Sequence, residues 1–159
     1  RFYIQAADNK TGGTTALANA TDFNTWDFIY TIYFQPKATG TTNINLGGFN
    51  PGGAEGQAVF SLDYYFSTSP ASVEARIADP NGAFYLFGEP TMALGEWHKA
   101  EVRKTGNVWA LYVNDVLQES VTQAVTFNNQ DLTAFGVEKA YSTTRRGRFD
   151  EVRLQYRTP

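Results

Sequence analysis

Cysteine is absent from the 159 residues, and histidine and methionine occur once each. Disulfides, thiol nucleophiles and zinc–thiolate sites are therefore excluded. The compartment stays open, because a chain of this length buries about 70% of its unfolded surface without a covalent staple. Charged side chains are scarce at 18%, with a net charge of -3. No lysine–arginine stripe is present to follow a phosphate backbone, so nucleic acid is not an expected partner. Arg145-Arg146-Gly147-Arg148 is the one basic cluster and reads as a solvated turn. Long apolar runs are missing too: the longest, Phe28 to Phe34, includes Thr31 and is far too short to span a bilayer. The chain opens on Arg1 without a leader, and we expect a processed or excised domain. Asn9-Lys10-Thr11 and Asn19-Ala20-Thr21 fit the glycosylation acceptor pattern, but an Asn-rich chain yields about one such match by chance.

Helical periodicity is the last absence; alternation with a period of two takes its place. Phe2, Ile4 and Ala6 begin one strand, and Phe28, Tyr30, Ile32 and Phe34 share a face of another that Pro36 ends. Ile44 and Leu46 precede Gly47-Gly48. Phe60, Leu62, Tyr64 and Phe66 form the next apolar face, followed by Val73, Ala75 and Ile77. Asp79-Pro80-Asn81-Gly82 turns the chain into Phe84 and Leu86. Trp109, Leu111 and Val113 lie on one side of a later strand, and Val152, Leu154 and Tyr156 on one side of the last. Strands at this spacing, separated by Gly, Asn and Pro turns, predict an all-β, antiparallel two-sheet sandwich. Residues 1–159 read as one domain, with at most a short helical turn near Asn19 to Asn24.

Gly95-Glu96-Trp97-His98, a strand, a polar turn, and then Leu111-Tyr112-Val113-Asn114-Asp115-Val116-Leu117 resembles laminin-G-like domains. These belong to the concanavalin A-like lectin/glucanase superfamily. Phe28 to Pro36 resembles the early core strand of that group, and Gly147 to Leu154 its closing strand. The resemblance implies a jelly-roll sandwich working outside the cell or on its surface. It departs at Asp115, where the group usually has glycine; Asn-Asp still reaches the positive φ that the hairpin requires, at some cost. Trp97 is expected to cap the core. His98 shares parity with Ala100 and Val102, so it is expected to pack inward. No serine or acid is placed by motif to build a triad around it.

Glycan-cleaving members of the superfamily carry Glu-x-Asp-x-x-Glu on one strand, which sets the acids for nucleophile and general-acid work. That spacing is absent here. Asp150 and Glu151 are adjacent and point to opposite faces. Asp63 and Glu74 face each other only if their strands pair in the right register. Asp150 shares parity with Val152 and is expected to point inward, where an unpaired carboxylate costs several kcal/mol. Backbone amides, Arg146 or Arg148, or a structural Ca2+ are its available partners. The resemblance implies that a structural Ca2+ is one of these, with oxygens from residues 8–13, Asp22, Asn24 and Asp27 as further ligands, and an amide or arginine partner serves equally well.

If the apolar residues of the three central strands face the core, then Asp63, Tyr65, Glu74, Arg76, Tyr85 and Phe87 face out. Aromatic rings beside planar polar groups suit a sugar, whose C–H faces stack while its hydroxyls hydrogen-bond. Asp63, Tyr65, Arg76 and Tyr85 are the expected ligand residues. Cross-strand pairing explains the same residues without a ligand. The reading is a non-catalytic recognition module for a glycan or a surface protein. The alternatives are a structural or adhesive subunit that self-associates as a homo-oligomer, and a polysaccharide-degrading enzyme.

Overall fold

Residues 2–4, 22–36, 43–49, 59–65, 71–79, 82–126, 135–136 and 147–157 are described by the computed structural model. The order is β1 (Phe2–Ile4), a one-turn helix α1 (Asp22–Thr25), β2 (Asp27–Pro36), β3 (Asn43–Phe49), β4 (Val59–Tyr65), β5 (Ser72–Asp79) and β6 (Gly82–Gly88). Then follow β7 (His98–Thr105), β8 (Val108–Val113), β9 (Val116–Thr122), β10 (Phe135–Gly136) and β11 (Gly147–Arg157). One sheet runs β1-β11-β2-β7-β8-β9 and the other β10-β3-β4-β5-β6, with every pair antiparallel. This is the two-sheet sandwich that the alternation predicts.

The apolar parity sets the interior. Phe28, Tyr30, Ile32 and Phe34 of β2 are buried against Phe60, Leu62 and Tyr64 of β4 and Val73, Ala75 and Ile77 of β5. Rings bridge the two sheets: Tyr30–Phe60 centroids lie 5.4 Å apart and Phe34–Tyr64 centroids 5.5 Å. Trp109 meets Phe28 edge-on at 5.6 Å. Such tilted and edge contacts suit the ring quadrupole and add to the burial of area.

One hydrogen bond also crosses the interior. The ladder between β3 and β4 slips between Asn45 and Gly47, where Gly47 adopts a φ of 108°. The slip leaves the Leu46 carbonyl off the regular pattern, and the Tyr30 hydroxyl donates to it at 2.9 Å. Burial pushes the Tyr30 phenol far above its ordinary range, so it stays a donor. A Tyr30→Phe variant is expected to lose about 1–3 kcal/mol, because a buried carbonyl loses its partner. Denaturant unfolding measures this; a loss below about 0.3 kcal/mol would show that the carbonyl finds another donor.

The hairpin turns on either side of β8 differ as their residues require. Between β7 and β8, Gly106 alone has positive φ (55°), which matches glycine at the first central position of a type II′ turn. Between β8 and β9, Asn114 (50°) and Asp115 (66°) are both left-handed, as in a type I′ turn. Asp115 recovers part of that strain by pairing with Lys99.

Lys104 is an inward-facing exception on β7. It is fully buried, and its Nζ donates to the carbonyls of Trp26 (3.0 Å) and Asn24 (3.4 Å) beside α1. Burial lowers its pKa, against the opposing pull of Asp27. On the outer face of the same sheet, Glu101 is buried by its neighbours. Thr31 Oγ1 donates to it at 3.1 Å, Arg103 Nε at 2.5 Å, and Lys99 Nζ lies 3.6 Å away. The Arg103 guanidinium also sits 4.0 Å over the Tyr112 ring.

Candidate functional site

The outer face of β4, β5 and β6 carries the residues singled out for ligand contact. Antiparallel register sets Asp63 opposite Glu74 and Glu74 opposite Phe87. The next row holds Ser61, Arg76 and Tyr85, and Tyr65 lies opposite Ser72. Short connections between consecutive strands make these three neighbours, so the face is continuous. Asp63, Tyr65, Arg76 and Tyr85 therefore share one surface.

They are unequal in exposure. Tyr85 is 43% exposed and Phe87 50%, while Tyr65, Glu74 and Arg76 are half-buried. Asp63 departs from the expectation: it lies on the outer face but is only 8% exposed. Its strand is central to the sheet, with β3 on one side and β5 on the other, and it has partners within the chain. The Tyr65 hydroxyl donates to Glu74 Oε1 at 3.5 Å. Burial raises the Glu74 pKa, opposed by the Tyr65 hydrogen bond and by the charge of Arg76. Tyr85 and Phe87 stand two residues apart on β6, their centroids 6.1 Å apart and their planes 23° apart. Phe87 shares the parity of the expected residues, and its ring makes the platform two rings long. A phenylalanine at an outward position is the sequence signal for it.

β9 packs against the open edge of β6 at Phe87 and Gly88. Glu119 Oε2 accepts the Phe87 amide at 2.6 Å, and a Cβ on Gly88 would fall 2.7 Å from Gln118 Cγ. A carboxylate on the strand's free amide blunts its tendency to pair with another strand.

The Trp-His pair resolves into structure. His98 is buried, with its ring 5.9 Å from Phe34. Its Nε2 lies 3.0 Å from the Ala93 carbonyl and its Nδ1 3.2 Å from Asn114 Nδ2. A carbonyl needs a donor and an amide NH2 needs an acceptor, which assigns the neutral Nε2–H tautomer. Both ring nitrogens are committed to packing the hairpin. Trp97 corrects the sequence reading: it is 47% exposed and does not cap the core. The loop is held instead by backbone, since Gly95 N donates to the Pro36 carbonyl at 2.7 Å and Gln35 Nε2 to the Gly95 carbonyl at 2.5 Å.

Asp150 also departs from its parity. A bulge between Asp150 and Arg153, with Glu151 at a φ of 41°, reverses the alternation. Asp150 is exposed, and its Oδ1 accepts the Glu151 amide at 2.8 Å. The need for a partner inside the core therefore disappears. Asp27 is engaged by Gly106 N at 2.8 Å and Arg157 Nη2 at 2.5 Å. Arg146 and residues 8–13 lie outside the described residues. Among the described residues no three histidine or carboxylate side chains form a metal-sized cluster.

No protein-family profile matches the sequence, and no curated protein matches it. Solved structures do match in shape, and they place the chain in the concanavalin A-like, jelly-roll class of fold. Caenorhabditis elegans galectin LEC-6 is 7% identical over 95% of this chain and 95% of its own, with a TM-score of 0.60. Domains LG4-5 of the mouse laminin alpha1 chain are 17% identical over 99% of this chain and 42% of theirs, at 0.59. The binding domain of botulinum neurotoxin serotype D is 11% identical over 93% of this chain, at 0.67. This chain spans 38% of the toxin domain's length.

Proposed function

We infer that this chain is a non-catalytic recognition module that holds a glycan on the outer face of β4–β6, in an extracellular or cell-surface setting. One observation carries the reading: an exposed aromatic, Tyr85, lies directly opposite Arg76, with Glu74 and the Tyr65 hydroxyl alongside. A pyranose offers an apolar face to the ring and directional hydroxyls to the guanidinium and carboxylate. The lectin-type fold supports the same reading, since a galectin of nearly equal length has it. Cross-strand pairing alone leaves the wide exposure of Tyr85 unexplained, because a ring that serves only its neighbours gains from being covered.

A glycan array probed with the wild-type chain, Tyr85→Ala and Arg76→Ala tests this. Wild type is expected to bind a defined sugar set, and each variant to bind at least tenfold more weakly, about 1.4 kcal/mol. Variants equal to wild type would move the site off this face. Release of reducing ends from a bound sugar would instead make the Asp63–Glu74 pair a catalytic candidate.

A further inference from the structure

Resting on the glycan reading, we propose that the ligand is a neutral oligosaccharide of at least two residues, laid along the Tyr85–Phe87 platform of β6. Two features of the face set these limits independently.

The first is length. Tyr85 and Phe87 project from alternate positions of one strand, so their rings repeat along the strand direction. Both are about half exposed and their planes are nearly parallel. A single pyranose covers one such ring. Two rings side by side reward a chain whose successive units each present an apolar face, and leave a monosaccharide with half the contact. Each ring has a polar partner across the strand, Arg76 opposite Tyr85 and Glu74 opposite Phe87. Successive sugar units would thus meet one ring and one polar group apiece.

The second is charge. Glu74 lies on this face and Glu119 sits at the β6 edge, against one guanidinium, Arg76, among the described residues. Arg76 is already drawn toward Glu74 electrostatically. A sulfated or carboxylated glycan would meet a surplus of carboxylates and one partly neutralised cation, so like-charge repulsion excludes it. Neutral hydroxyls have no such penalty and can donate to these same oxygens.

The test titrates wild type, Tyr85→Ala and Phe87→Ala with two series by calorimetry. One is a ladder of neutral gluco-, xylo-, manno- and galacto-oligosaccharides from one to six units. The other holds the polyanions heparin, polygalacturonate and polysialic acid, at low and physiological salt. Affinity for one neutral ladder is expected to rise at least tenfold from one unit to two or three. Phe87→Ala is expected to flatten that rise. The polyanions are expected to stay unbound even at low salt, where electrostatic attraction would be strongest. Binding of polyanions alone would overturn this inference and leave the glycan reading standing, as would a monosaccharide bound as tightly as its oligomers. Silence from every sugar would remove both. Circular dichroism of the two variants controls for folding, and a Phe87→Leu variant that still responds to chain length would also count against the ring platform.

Discussion

Replacing Trp109 with alanine is expected to destabilise the chain by about 3–5 kcal/mol, the cost of removing a large buried aromatic. Trp109 is fully buried on β8 and holds two rings edge-on, Phe28 at 5.6 Å and Phe84 at 6.0 Å. Phe28 belongs to one sheet and Phe84 to the other, so the indole is a joint between the layers. Its Nε1 also donates to the Gln123 carbonyl at 3.1 Å, tying down the segment after β9. Alanine removes the ring contacts and the hydrogen bond together and leaves a void that a sandwich cannot fill by small shifts. For a chain of this length such a loss lowers the melting midpoint by about 10 °C or more. Trp109→Phe keeps part of the ring area and should recover more than half of the loss. If alanine costs less than about 1.5 kcal/mol in denaturant titration, the two layers do not depend on this joint.

The second large effect concerns Glu101, an acid buried on an outer sheet face. Glu101→Ala is expected to cost about 1.5–3 kcal/mol, the range for hydrogen bonds to charged groups. The Thr31 hydroxyl, itself buried, loses its acceptor, and Arg103 loses a bond of 2.5 Å. The full penalty of a broken interior ion pair is not expected, because Arg103 still rests on the Tyr112 ring and Lys99 still reaches Asp115. A double-mutant cycle with Arg103→Ala isolates the pair, and coupling should exceed the 0–1 kcal/mol typical of exposed ion pairs. Coupling that vanishes at 1 M salt would mark an ordinary surface pair.

The central strands were legible because nothing interrupts their alternation. Within each strand every second residue is apolar (Phe60, Leu62 and Tyr64; Val73, Ala75 and Ile77; Phe84 and Leu86), so Tyr65, Arg76 and Tyr85 emerge on the opposite face. Three misreadings have separate physical causes. Asp150 was misplaced because a bulge adds a residue at Glu151, a side chain that gives no hint of a left-handed backbone. Trp97 lies before the first paired residue of β7, where alternation has not begun and loop contacts through Gly95 decide direction. The burial of Asp63 depends on its place in mid-sheet, and period-two parity fixes only the face. Lys104 was visible in principle: the inward series His98, Ala100, Val102 continues to it. A long cation on that side belongs where a strand runs out and backbone carbonyls come within reach.

The clasp between β9 and β6 bears on how copies of this chain can meet. With the Phe87 amide already spoken for by Glu119 and Gln118 crowding position 88, a visiting ribbon would have to displace β9 to pair at this end of β6. Fibre growth by stitching sheet to sheet is therefore obstructed at that point. An array that keeps this clasp intact would use side-chain contacts or another border of the sandwich, leaving the aromatic strip beside the clasp clear for a guest.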